Sequence, residues 1–117
     1  MTEQLVIPAL HGAIQERQPS SQLIHHTDRG GQYASRRYRG ILRRAEIRQS
    51  MNRADNCYDN AFMESCFGTF KTELEMTEYK HHRAAKREIG DYIAYYNLDR
   101  RHSALGYRSP YQFELLQ

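Results

Sequence analysis

Two stretches of this chain have the length and residue types of β-strands, and a helical pattern separates them. The first, at 22–27, contains LIHHT; the second is EIRQSM, residues 46–51. Between them YASRRYRGILRRAE spaces Tyr38, Ile41, Leu42 and Ala45 as a helix does, with arginines on the other side, which predicts a helix over about 34–45. Two strands joined through a helix run parallel, because an antiparallel pair needs only a short turn. The flanking segments add helices. Residues 4–17 place Leu5, Val6, Ala9, Leu10, Ala13 and Ile14 on one face, with Pro8 either opening the helix or kinking it. Further helices are expected over about 59–75 and 82–98, and Ser109-Pro110 starts a short last turn. The order α-β-α-β-α-α describes an α/β layer around a parallel strand pair.

At 117 residues the chain is long enough for one small domain. With 39% hydrophobic and 26% charged residues it has a globular composition. Its apolar runs are too short to span a bilayer, and MTEQLVIPALHG does not read as a signal peptide. Cys57 and Cys66 make no disulfide framework, so a reduced, cytoplasmic chain without a membrane partner is expected.

Charge is uneven. Residues 29–53 hold eight arginines and a single acid, Glu46, within a net charge of +3. Arginine's planar fork suits phosphate oxygens, so this stretch predicts a polyanion-facing surface; a solvated helix face is the plainer reading.

The strand LIHHT delivers Asp28 straight into Arg-Gly-Gly. A carboxylate there can serve as metal ligand, general base, helix cap or turn residue, and the local residues leave the four open. On the 59–75 helix, Phe62, Met63, Cys66, Phe67, Phe70 and Leu74 form an apolar side. Asn60, Glu64, Gly68, Lys71 and Glu75 form a second stripe, so Glu64 and Lys71 stand two turns apart, roughly 10 Å along the axis. Gly68 is tolerable where something approaches the helix backbone closely.

Thirty-five residues separate Asp28 from Glu64. Together with HHTDRGGQYAS, IRQSMNRADNCYDNAFMESCFGTFKTELE and YIAYYNLDRRHSALGYRSPYQFE, in this order, the chain resembles the integrase core of the DDE transposase and retroviral-integrase family. The likeness is to the C-terminal part of that core in the OrfB-type transposases of bacterial insertion sequences. It runs over 1–113 and leaves 114–117 as a tail. The resemblance implies an RNase H-like fold, here partial and lacking its first three strands. It implies that Asp28 and Glu64 are the second and third catalytic and metal-holding acids. Lys71 then matches a DNA-facing basic residue, with Arg36, Arg37, Arg43, Arg44 and Arg53 as further DNA-binding candidates. The implied cofactor is Mg2+ or Mn2+, and the implied partners are DNA, as transposon ends and target, and a second copy of the chain.

The family's first acid belongs to an early strand, and only Met1, Thr2 and Glu3 precede the first helix here. The expectation is therefore a truncated core, a gene remnant or one piece of a split enzyme. Such a chain would bind metal weakly, be inactive alone in metal-dependent strand cleavage and transfer, and leave the 22–27 strand edge and the 4–17 helix face uncovered. The alternative is a non-catalytic, basic DNA-binding or oligomerisation remnant.

Other constellations are weaker. His25, His26, Cys57, Cys66, His81 and His82 match no zinc spacing, and no nucleophile-elbow pattern surrounds Ser50 or Ser65. Adjacent His25 and His26 point to opposite strand faces, which leaves His26 as a candidate neighbour of Asp28. Ala85, Ile89, Tyr92, Ile93 and Tyr96 fall at packing positions, and Arg100, Arg101, His102 and Arg108 form a second basic patch without an assigned role.

Overall fold

The computed structural model describes residues 3–53, 57–74 and 81–117. Among these residues six helices and two strands follow one another as α1 (Glu3–Arg17), β1 (Ile24–Thr27), α2 (Gly31–Ala34), α3 (Arg36–Arg44), β2 (Arg48–Met51), α4 (Ala61–Glu73), α5 (His82–Leu98) and α6 (Pro110–Glu114). Short 3-10 turns at Cys57–Asn60 and Ser103–Leu105 precede α4 and α6. β1 and β2 are parallel, in the register Ile24–Arg48, His25–Gln49, His26–Ser50 and Thr27–Met51, as the intervening helical pattern requires. The chain divides into two compact units, Met1–Cys66 and Phe67–Gln117.

The first unit has a small core. Ile7 and Leu10 of α1 meet Tyr38, Ile41 and Leu42 of α3 and Ile47 before β2, with Val6, Ile14, Tyr33 and Ala45 packed around them. Tyr38, Ile41 and Leu42 are the positions that the 3.6-residue period selects. On α1 the buried stripe is rotated from expectation. Ile7 is inside and Leu5 is 66% exposed, because α1 lays its 7–10–14 line, rather than its 5–9–13 line, on α3. Pro8 does not open the helix; α1 starts five residues earlier and runs through it, giving up one backbone hydrogen bond. Leu23 and Ile24 of the β1 region are also exposed.

The helix expected at 34–45 is two helices. Ser35 adopts an extended backbone, and its hydroxyl accepts the Tyr38 N–H, so it caps α3 and ends α2. α3 closes with Glu46 in the left-handed region, φ 58°. The Glu46 N–H donates to the Arg43 carbonyl and the Ile47 N–H to the Leu42 carbonyl, 3.0 and 2.9 Å. That is a Schellman end, with the Leu42 and Ile47 side chains both in the core.

The helix expected at 59–75 starts at Ala61, after the 3-10 turn that holds Asn60; Glu75 lies outside the described residues. Its apolar side is largely open. Phe62 is 93% exposed, and Met63 and Phe67 about half. Among the described residues nothing lies within 4 Å of where a Gly68 Cβ would be. In the second unit Phe70 packs edge-on against Tyr92 and Tyr96 of α5, as the packing positions anticipate, whereas Ile93 is exposed. α6 begins with a capping box. Ser109 Oγ accepts the Gln112 N–H, Gln112 Oε1 accepts the Ser109 N–H, and Pro110 takes the first helical position.

Candidate functional site

Asp28 follows directly on β1 and is exposed. Its Oδ1 accepts the Gly30 N–H at 2.7 Å and closes a turn. A Cβ on Gly30 would stand 2.9 Å from that same oxygen and 2.8 Å from Gln32 Oε1, so a side chain there would make both side-chain ends shift. Gly31 has open space around it. The turn role of Asp28 is thus visible, and it occupies Oδ1 and leaves Oδ2 for another partner.

The backbone around Asp28 is tied to the end of β2. The Thr27 carbonyl accepts the Asn52 N–H at 3.0 Å, and Arg29 Nε donates to the Asn52 carbonyl at 2.7 Å. His26 Nε2 donates to Asn52 Oδ1 at 2.7 Å, and His26 Nδ1 lies 2.9 Å from Ser50 Oγ. His26 thus meets Ser50 and Asn52 at the end of β2. His25, on the opposite strand face, meets the buried Tyr38 hydroxyl at 2.8 Å. Burial, then the neighbouring His26, lowers the His25 pKa; burial, then Tyr33, raises that of Tyr38.

Glu64 is exposed on the first turn of α4, and Lys71, also exposed, is on its last turn. Asp28 and Glu64 belong to the same compact unit. Among the described residues no three His, Cys, Asp or Glu side chains gather as a metal cluster. Carboxylate oxygens are the kind of ligand a hard divalent ion takes.

α3 concentrates the positive charge. Five of its nine residues are arginine, with no acid in its first turn. Arg36 and Arg39, and Arg39 and Arg43, are like-charge neighbours at i,i+3 and i,i+4, each costing roughly 0.2–0.5 kcal/mol. Among the described residues no ion pair offsets any of the five. Tyr38, Ile41 and Leu42 hold the helix in place against that repulsion. An open groove of 610 Å³ is lined by Arg36, Arg39, Arg43 and Gln49. A second, of 620 Å³, is lined by Arg36, Arg37, Arg43 and Arg44, so Arg36 and Arg43 form the wall between the two. Arg53 differs. Its guanidinium pairs with Asp59 at 2.8 Å, and its own N–H donates to Asp59 Oδ2 at 2.7 Å. These contacts pull the Asp59 pKa down to about 2.

Arg100 of the second basic patch is also engaged. It grips Glu73 with Nε and Nη2 and lies 5.7 Å from the Tyr96 ring centroid, while the Tyr92 hydroxyl donates to Glu73 Oε1 at 2.6 Å. Hydrogen bonds from Arg100 and then Tyr92 lower the Glu73 pKa to about 2; burial, then Glu73, raises Tyr92 to about 12. This triad, and the role of Asn52, were not legible from spacing, since partners 19 to 27 residues apart leave no local signal.

Sequence profiles described as integrase core domain match residues 45–110 and residues 1–57. The chain belongs to the integrase core domain family. It is 45% identical over 116 residues to the transposase for insertion sequence element IS904 of Lactococcus lactis, covering 97% of this chain and 46% of that protein. It is 44% identical to the InsF transposase of insertion sequence IS3A of Escherichia coli, covering 97% of this chain and 40% of the relative. It is also 44% identical to an uncharacterized 31 kDa protein of insertion element IS600 in Shigella sonnei, covering 97% and 42%. The integrase core described here thus spans less than half the length of these relatives. Its fold matches a chain in the simian T-cell lymphotropic virus intasome, solved with a regulatory subunit of PP2A, at a TM-score of 0.77 and 18% identity, over 97% of this chain and 40% of that one. The fold is therefore RNase H-like, as the motifs implied. No described helix is long and apolar enough to cross a membrane.

Proposed function

We propose that this chain is the C-terminal part of a transposase catalytic core that cuts and joins DNA strands with Asp28 and Glu64 as metal-holding carboxylates. The observation that supports it most is the place of Asp28: directly after a parallel strand, exposed, with Oδ1 fixed by the Gly30 N–H and Oδ2 open. Asp28 and Glu64 would share a magnesium or manganese site, and such an ion supplies charge neutralisation at the attacking and leaving oxygens of an in-line phosphoryl displacement. The remaining work belongs to the chain's own residues. The α3 arginines meet backbone phosphates on either side of the helix, and their fork geometry suits paired phosphate oxygens. Lys71, two turns along α4 from Glu64, adds a point charge suited to phosphate. Arg53 contributes less, because Asp59 already neutralises it.

The test is a graft. Residues 1–117 replace the matching 40% of the E. coli IS3A relative, and strand transfer is measured in vitro with magnesium. The chimera is expected to be active, and Asp28→Asn or Glu64→Gln each to lower transfer by about a thousandfold or more, since each removes several kcal/mol of charge stabilisation. Full activity in either variant would remove the assignment.

A further inference from the structure

We infer that Asn52 is a positioning residue for Asp28, acting on both of its flanks at once. Asn52 is polar yet only 7% exposed, and its backbone N–H, its carbonyl and its Oδ1 are all spent on residues 26 to 29. Its N–H donates to the Thr27 carbonyl immediately before Asp28. Its carbonyl accepts Arg29 Nε immediately after Asp28, and its Oδ1 accepts His26 Nε2. A strand end needs only the first of these bonds. The other two reach side chains, His26 on β1 and Arg29 in the loop that leaves it. His26 is held a second time from the same strand, by Ser50. The chain is thereby tied before Asp28 through the Thr27 carbonyl and after it through the Arg29 side chain. The carboxylate itself is held by the Gly30 N–H on Oδ1, and the Asp28 backbone carbonyl accepts Thr27 Oγ1.

The chemistry asks for this. A carboxylate on an exposed loop samples several rotamers, and one that is to meet a metal or a reacting phosphate must be held within about 0.5 Å of its working place. Asp28 itself is exposed, so packing cannot hold it; its neighbours must. Asn52 does so from a buried position, at a cost in desolvated amide that its hydrogen bonds offset. The inference rests on the reading of Asp28 as a working carboxylate, and the experiment separates the two.

Backbone order parameters from 15N relaxation are measured for the 117-residue chain. In the unsubstituted chain residues 28–30 are expected near 0.85, the value of rigid backbone. Asn52→Ala removes the His26 acceptor but keeps both backbone groups. It is expected to lower the order parameters of residues 28–30 toward about 0.6, while Gln49 and Ser50 of β2 and the core residues Ile41 and Leu42 stay rigid. Asn52→Asp keeps an acceptor oxygen for His26 and is expected to restore residues 28–30. Order parameters at 28–30 that do not move in Asn52→Ala would overturn the inference. So would a loss spread equally over β1, β2 and α3, which is what a purely structural residue gives. Addition of Mn2+ alone to the unsubstituted chain tests the underlying reading. Selective broadening of the Gly30 amide is expected. Its absence would sink Asp28 as a metal ligand whatever the order parameters show.

Discussion

The arginine helix makes a quantitative demand on DNA binding. None of the five arginines of α3 is in an ion pair among the described residues, and all five line the two grooves beside it. If each neutralises one phosphate of a duplex, the slope of log affinity against log salt is about −4.5, from roughly −0.9 per contact. Between 50 and 200 mM salt that slope lowers affinity by about 2.7 decades, or roughly 500-fold. Arg36 and Arg43 line both grooves, so replacing both with glutamine is the most economical perturbation. It should reduce the slope to about −2.7 and the loss over the same salt range to roughly 40-fold. Arg53→Gln is the internal control: with Asp59 already on its guanidinium, it should change the slope by well under the roughly 0.9 of a free arginine. The measurement is fluorescence anisotropy with a labelled duplex of arbitrary sequence, in EDTA so that metal plays no part. A parent slope shallower than about −2, or a double variant that keeps the parent slope, would refute the argument that α3 is the electrostatic footprint.

Two further outcomes follow from local geometry. Glu46→Gly should stabilise the first unit by about 0.5–1 kcal/mol in urea denaturation at 0.5 M salt, because a left-handed non-glycine residue costs roughly 1–2 kcal/mol and glycine's extra unfolded entropy takes back part of that; a destabilised variant contradicts the Schellman assignment. Glu73, whose pKa is held down to about 2, supplies stability that is fully present above the ordinary carboxylate range and is lost as pH falls from about 4.5 toward 2. Near-ultraviolet circular dichroism of the tyrosines should follow that loss, and Glu73→Gln should flatten it across the same window.

What the sequence determined by itself was whatever depends on neighbours within a turn or two. The period-3.6 pattern set Tyr38, Ile41 and Leu42 inside α3 with its arginines outside, and within the expected runs at 22–27 and 46–51 the parallel strands formed over 24–27 and 48–51. Ser109-Pro110 started α6, and the spacing of HHTDRGG from AFMES was enough to mark the family. The tertiary structure decided what depends on two segments meeting. Ile7 rather than Leu5 is buried because α1 is rotated by its contact with α3, and both residues are equally apolar in the sequence. The apolar side of α4 looked like core from its composition, yet Phe62 stands open, since hydrophobicity says that a face can be buried and not that anything covers it. Asn52 read as one polar residue in a polar loop. It acquired a role only when the parallel register set the end of β2 beside the end of β1, because hydrogen bonds reach about 3 Å and know nothing of the 24 positions that separate Asn52 from Asp28.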